Sequence, residues 1–263
     1  MKITVHGQDL SSSHEFDISG DTQSTWHIPE EVPVAFVFNK RNYAVMMATP
    51  DDLADFAIGF SLTENVIRDL AGIESLDIYQ TEKGVDFRFQ INPEAIEKLD
   101  IVQRRRNMVG SASCGLCGLE NVDTLFQKLK PVSSMKVDLD PKAVVMACEG
   151  LKNHQPLNQL TRTVHAAGWA NLSGELQIVR EDVGRHNALD KLLGALAQAN
   201  TDISEGFVVM SSRCSYEIVE KAAMRGVQAL VSVSAPTAFA LRKAKEANMA
   251  IYSQSKSGAV RLL

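Results

Sequence analysis

The chain is poor in cysteine and has no surplus of positive charge. Four cysteines in 263 residues cannot staple a disulfide-built domain, so reduced thiols and a cytoplasmic location are expected. Lys plus Arg is 27 against 32 Asp plus Glu, a net charge of −5. That balance excludes broad, non-specific nucleic-acid binding, which needs a basic surface. No stretch reaches the roughly 18–20 consecutive apolar residues of a membrane span, so no membrane partner is expected. The first residues, MKITVHGQDL, carry no apolar core of a secretory signal. Internal repeats and low-complexity tracts are missing too. What remains is ordinary soluble globular composition, 45% hydrophobic and 22% charged, long enough for one or two domains with a real core.

The first thirty or so residues are polar and read as a loosely held strand or arm. Val32 to Phe38 and Tyr43 to Ala48 are β-prone runs around Asn39-Lys40-Arg41-Asn42, a hairpin. Thr49-Pro50-Asp51-Asp52 then reads as a helix start, with Thr49 as cap, Pro50 in the first turn and two acids facing the dipole. Ile73 to Gln80 and Val85 to Ile91 form a second hairpin. Asn92-Pro93 starts a helix that runs into Arg104-Arg105-Arg106. The glycine-rich segment 110–118 interrupts this order and reads as a mobile loop at a domain junction. We therefore expect an α+β domain over 1–109, the loop over 110–118, and an α/β domain over 119–263. In the latter, Asp140-Pro141 caps a helix, and Thr163 to Asn171 pairs with Leu176 to Arg180. Phe207–Met210, Val227–Val233 and Ala250–Ser253 alternate with helices over Tyr216–Met224 and Pro236–Ala247. Such βαβαβ order implies a parallel sheet whose ligands sit beyond the carboxyl ends of its strands. Those ends read Ser211-Ser212-Arg213, Ser234-Ala235-Pro236 and Gln254-Ser255-Lys256-Ser257-Gly258, small or polar with two cations, as an anion such as a nucleotide phosphate requires.

Cys114-Gly-Leu-Cys117 is the sharpest chemical signal. Zinc needs about four ligands, this pair supplies two, and only tertiary accident could bring in His165 or Cys214, so no metal site is expected. A dithiol is the better reading, because a C-x-x-C thiol has a lowered pKa and the arginines at 104–106 lie just upstream. A thioredoxin-type pair would open a helix after a strand, whereas this one lies in a flexible loop. A loop thiolate suits delivery of a group such as persulfide sulfur, with the second thiol resolving or tuning the first. Cys148 falls on the apolar face of its helix and reads as core, while Cys214 follows a strand end and stays open. The segment Arg180 to Lys191 packs seven ionisable residues into twelve positions. Within it Gly184-Arg185-His186-Asn187 places donors where a phosphate or guanine at a helix start would need them.

Taken in order, Thr49-Pro-Asp-Asp-Leu-Ala-Asp-Phe-Ala-Ile-Gly-Phe60, Ser113-Cys-Gly-Leu-Cys-Gly118, the block from Arg180 to Lys191, Ser212-Arg-Cys-Ser-Tyr-Glu217 and Val233-Ser-Ala-Pro236 resemble the formate dehydrogenase accessory sulfurtransferase family, FdhD. The resemblance runs from about Glu31 to about Gly258. It implies a cytidine-deaminase-like three-layer α/β domain in a cytoplasmic homodimer. It implies a protein that takes sulfur from a cysteine desulfurase as a cysteine persulfide. That sulfur goes to the molybdenum bis(molybdopterin guanine dinucleotide) cofactor before insertion into the formate dehydrogenase catalytic subunit, and GDP mimics part of this substrate. Carried onto this chain, Cys114 is the persulfide carrier and Cys117 its neighbour. His165, Arg185, His186, Arg213 and the stretch Gln254, Ser255, Lys256, Ser257, Gly258, Ala259 would bind the cofactor. The chain departs from the family pattern at Arg162-Thr163, where two glycines are usual, and at Ser253-Gln254. The competing readings are a chaperone that holds the guanine-containing cofactor without sulfur chemistry, a zinc-dependent deaminase and a thiol oxidoreductase. The deaminase lacks H-x-E before P-C-x-x-C.

Overall fold

The computed structural model describes residues 1–18, 24–107, 128–133, 137–255 and 258–263, of which 101–107 contribute helical backbone only. Two mixed β-sheets dominate. The first contains β1 (Lys2–His6), β4 (Val32–Phe38), β5 (Arg41–Ala48), β6 (Ile73–Thr81) and β7 (Gly84–Ile91), in the order β1-β6-β7-β4-β5. The expected hairpins are both present. Strand β4 begins and ends where its alternation predicts, and Phe36 and Phe38 are fully buried. The β4–β5 turn is tighter than expected: Asn39 and Lys40 alone make it, with φ of 46° and 66°, the left-handed pair of a type I′ turn. The polar N-terminal arm is ordered in part. Strand β1 runs parallel to β6, and β2 (Ser13–Ile18) pairs with β3 (Ser24–Pro29) as a separate two-stranded ribbon.

Helix α1 (Leu53–Thr63) covers one face of this sheet. Phe36, Phe56, Phe60 and Phe87 meet edge to face or tilted, with centroids 4.0–6.2 Å apart, a geometry that suits their quadrupoles. The capping expected of Thr49 fails: the cap residue is Asp52, in the left-handed conformation and without a side-chain cap bond. Thr49 is committed elsewhere, as described below. Helix α2 spans Pro93–Asn107.

The second sheet has the order β13-β12-β11-β10-β8-β9. Its strands are β8 (His165–Asn171), β9 (Leu176–Asp182), β10 (Gly206–Met210), β11 (Ala229–Ser232), β12 (Ala250–Ser255) and β13 (Gly258–Arg261). Only β10, β11 and β12 are mutually parallel; β8, β9 and β13 run antiparallel to their neighbours. The expected parallel sheet is thus the centre of a mixed one. Helix α3 (Pro141–Asn153), capped by the Asp140 carboxylate as expected, packs on one face. The six-residue α4 (Pro156–Thr161) follows it. Helices α5 (Arg185–Gln198), α6 (Tyr216–Met224) and α7 (Ala238–Glu246) cover the other face. The boundaries expected at 109/110 and 118/119 lie outside the described residues. No described helix is long and apolar enough to cross a membrane.

The two sheets are joined by α1 against α5 and by a buried polar cluster. The Lys191 ammonium lies 2.8 Å from Asp182, both with fully buried side chains, and donates to the carbonyls of Thr49 and Glu181. Asp182 also accepts from the amides of Thr49 and Gly184 and from Asn187, while the Thr49 hydroxyl accepts from the Val183 amide. Every group in this cluster has a partner, as buried charge requires.

Candidate functional site at the carboxyl rim of the second sheet

Strand direction decides which residues share an edge. Strands β10, β11 and β12 all end at the same side of the sheet, at Met210, Ser232 and Ser255. Strand β8 runs the other way, so its first residue, His165, lies at that side, opposite Asp182, the last residue of β9. Helices α5 and α6 begin there as well. The rim therefore gathers His165, Arg185, His186 and Arg213, all expected from the sequence.

His165 is half-buried. Burial holds its pKa below the usual histidine value; the Arg185 and His186 charges add to this, and Asp182 opposes them. The His186 Nε2 lies 3.8 Å from the Glu217 carboxylate, beyond hydrogen-bond length. Burial raises the Glu217 pKa. His186, Ser215 and the backbone amide at the start of α6 outweigh it and hold the group down to about 2. Glu217 is therefore ionised at any physiological pH. Six buried side-chain polar atoms have no hydrogen-bond partner among the described residues. Three of them, Arg185 Nε, His186 Nε2 and Ser215 Oγ, converge on this rim. Natural proteins leave few such groups unpaired, because each costs about 1–3 kcal/mol. Of the three, Arg185 Nε is a donor without an acceptor, while His186 Nε2 and Ser215 Oγ lie beside the Glu217 carboxylate without meeting it in hydrogen-bond geometry. Arg213 is exposed beside them.

The stretch expected at the C-terminus is a hairpin rather than a loop. Gln254 and Ser255 end β12 and face Ala259 and Gly258 of β13. Side chains alternate across a strand, so the hairpin divides. Ser255 points to the α5–α6 side, as His165 does, while Gln254 and Ala259 point to the α3 side, where Gly258 and Ala259 border a groove of about 630 Å³ along α3. Three strand spacings separate β8 from β12, about 14 Å. Lys256 and Ser257, and the pair Cys114 and Cys117, lie outside the described residues.

Two sequence readings change. In the block Arg180 to Lys191 only Arg185 and His186 are left for a ligand. Asp182, Asn187 and Lys191 form the buried cluster, Asp190 binds Lys221 and Thr63, and Arg180 pairs with Asp52 and Asp55. Arg162, where the family pattern has glycine, is the exposed C-cap of α4 with φ 59°. Glycine there would serve to end a helix. The sequence reading also passed over Ser215 and Glu217, because a serine followed by a glutamate at a helix start is what ordinary capping looks like.

Cys148 and Cys214 are both fully buried. Desolvation pushes the Cys148 thiol up to about 11, with Glu149 adding to it, and the Cys214 thiol up to about 12. Burial and a raised thiol pKa are what a packing cysteine shows, and Cys214 reads as one. Alkylation of the native protein by iodoacetamide at neutral pH is therefore expected to spare both and to reach them only after denaturation. Peptide mass analysis reads this, and rapid native labelling of Cys214 would contradict it.

A family model described as the FdhD/NarQ family matches residues 29–262. The chain is 44% identical over 224 residues to "Sulfur carrier protein FdhD" of Xanthomonas oryzae pv. oryzae, covering 85% of this chain and 79% of that one. It is 43% identical over 232 residues to the protein of the same description from Cupriavidus necator, covering 88% and 80%. Its fold matches the crystal structure of a candidate formate dehydrogenase accessory protein from Desulfotalea psychrophila with a TM-score of 0.70 over 95% of both chains, at 21% identity.

Proposed function

The chain belongs to the FdhD/NarQ family, and from that premise we propose that it is a sulfur carrier that loads a guanine-dinucleotide molybdenum cofactor for formate dehydrogenase. The observation that carries the cofactor half is the rim cluster of Arg185, whose Nε has no partner among the described residues, with His186 and Ser215, whose Nε2 and Oγ make no hydrogen bond of good geometry. With Arg213 they suit the phosphates of a nucleotide, bound as substrate beyond the carboxyl ends of the strands. The ionised Glu217 beside them suits the donor edge of a guanine, as carboxylates accept from base amino groups. Ser255 would extend the same surface; Lys256 and Ser257, which follow it in the chain, lie outside the described residues. The layering of helices on both faces of the second sheet supports a cytidine-deaminase-like domain.

The sulfur half rests on the Cys114-Gly-Leu-Cys117 pair. The Cys114 thiolate attacks the outer sulfur of a cysteine desulfurase persulfide. The donor's S–S bond breaks, its thiolate leaves, and Cys114 carries the persulfide with no net oxidation. If the Cys117 thiolate then attacks the Cys114 sulfur, hydrosulfide leaves and a Cys114–Cys117 disulfide forms. The dithiol supplies the two electrons. The cofactor held at the rim receives the sulfur, and the formate dehydrogenase catalytic subunit receives the cofactor. A homodimer would present two such sites.

The test pairs two readouts. Incubation with cysteine and a cysteine desulfurase is expected to add about 32 Da at Cys114 and nothing in Cys114→Ala, the mass of one persulfide sulfur. Arg185→Gln with His186→Gln is expected to weaken GDP binding at least about tenfold, or 1.4 kcal/mol, while leaving the sulfur adduct intact. Full formate dehydrogenase activation by Cys114→Ala, with GDP binding retained, would instead make the protein a cofactor-holding chaperone.

A further inference from the structure

A second cavity lies at the far ends of α5 and α6. It has a volume of about 390 Å³ and opens between the end of α1, the turn at Asp69–Ala71, the last turn of α5 and Arg225, the residue that caps α6. This volume is within the range of small-molecule sites. Its walls are mostly apolar: Leu62, Leu70, Leu196 and Ile203 line it. Two charged residues, Arg225 and Asp69, also line it, with Asn200 and Thr201. Arg225 spends Nη1 on the Arg68 carbonyl, at 3.2 Å, and its Nε is buried with no partner among the described residues. Asp69 is close enough to act on the Arg225 charge, but its carboxylate is not paired with the guanidinium within ion-pair distance; it accepts the Ala71 amide instead. A buried guanidinium donor without an acceptor costs free energy, and an apolar pocket with one such donor selects an apolar body carrying one acceptor charge.

We propose that this cavity binds a small aliphatic monocarboxylate, its carboxylate on Arg225 Nε and its carbon body against Leu62, Leu196 and Ile203. The site is distinct from the rim. Helix α5 has 14 residues, so its two ends are about 21 Å apart at 1.5 Å per residue, and the rim donors sit at its other end. The proposal is independent of the sulfur-carrier reading.

The test titrates the full chain with sodium 4-methylpentanoate, followed by calorimetry and by methyl resonances in NMR. Saturable binding is expected, with shifts confined to Leu62, Leu70, Leu196 and Ile203. The uncharged isostere 4-methylpentanamide is expected to bind at least about tenfold more weakly to the unaltered protein, as loss of a charge-assisted contact implies. Arg225→Gln should show the same loss toward the acid, with GDP binding at the rim unchanged. Ala197→Leu, which narrows the cavity and leaves Arg225 in place, should weaken both probes alike. Equal binding of acid and amide, shifts at the rim instead, or no saturable binding in the millimolar range would each overturn the proposal.

Discussion

Replacing Lys191 by methionine is expected to lower the free energy of unfolding by about 3–5 kcal/mol, the usual cost of breaking a buried ion pair from one side. The Lys191 and Asp182 side chains have no solvent exposure. Methionine fills much of the lysine stem's volume, so little cavity is made, and the loss is electrostatic. It strands the Asp182 carboxylate in the interior and leaves the Thr49 and Glu181 carbonyls without their ammonium donor. The Asp182 carboxylate retains the amides of Thr49 and Gly184 and the Asn187 side chain, which keeps the loss from being larger. The double variant Asp182→Asn with Lys191→Met removes both charges and is expected to recover most of the loss. Urea unfolding of the unaltered protein and the two variants at neutral pH measures these changes. A loss under about 1 kcal/mol for Lys191→Met, the scale of an exposed pair, would show that water reaches the cluster. Because Asp182 also holds the Gly184 amide and Asn187, GDP binding by Arg185 and His186 should weaken alongside stability.

This cluster also marks where the sequence could be read and where it could not. Strand β4 and helix α6 were legible to the residue, because alternation and helical periodicity report which side of an element is buried. Asp140-Pro141 was legible as a cap because its partner is only two residues away, at the Lys142 amide. Thr49 carries the same local signal, yet its partners, Asp182 and Val183, are more than 130 residues distant. No local rule sees them. The charges from Arg180 to Lys191 misled in the same way: a dense ionisable run looks like a ligand site whether its partners are phosphates or the protein's own Asp55, Thr49 and Lys221. Strand direction was illegible as well. Burial patterns of β8 and β13 are the same whichever way they run, so the mixed sheet appeared only in the fold. Direction matters to the site, since an antiparallel β8 is what brings His165 to the rim.

The crossing of α1 and α5 sets up a substitution in which two effects of opposite sign compete. Gly59 lies inside α1 and Gly194 inside α5. Alanine in a helix interior is favoured over glycine by about 1 kcal/mol, so propensity alone predicts that both Gly→Ala variants are stabilised. The packing predicts otherwise. A Cβ on Gly59 would stand 1.7 Å from the Asp190 carbonyl oxygen, and one on Gly194 would stand 2.0 Å from that of Asp55. The atoms in the way are backbone of the facing helix, which cannot rotate aside as a side chain would. The helices would have to separate, loosening the Asp190–Lys221–Thr63 contacts and the Asp55–Arg180 pair that flank the crossing. Gly59→Ala and Gly194→Ala are each expected to destabilise by about 3 kcal/mol or more, the upper end of overpacking costs. Gly150 in α3 provides the control. Its Cβ would meet only Leu176 Cδ1, at 3.4 Å, an ordinary contact, so Gly150→Ala should gain up to about 1 kcal/mol from propensity. Thermal or urea unfolding of the three variants reads the signs directly. Stabilisation by Gly59→Ala would mean that the two helices, and with them the two sheets, do not meet as closely as this backbone contact requires.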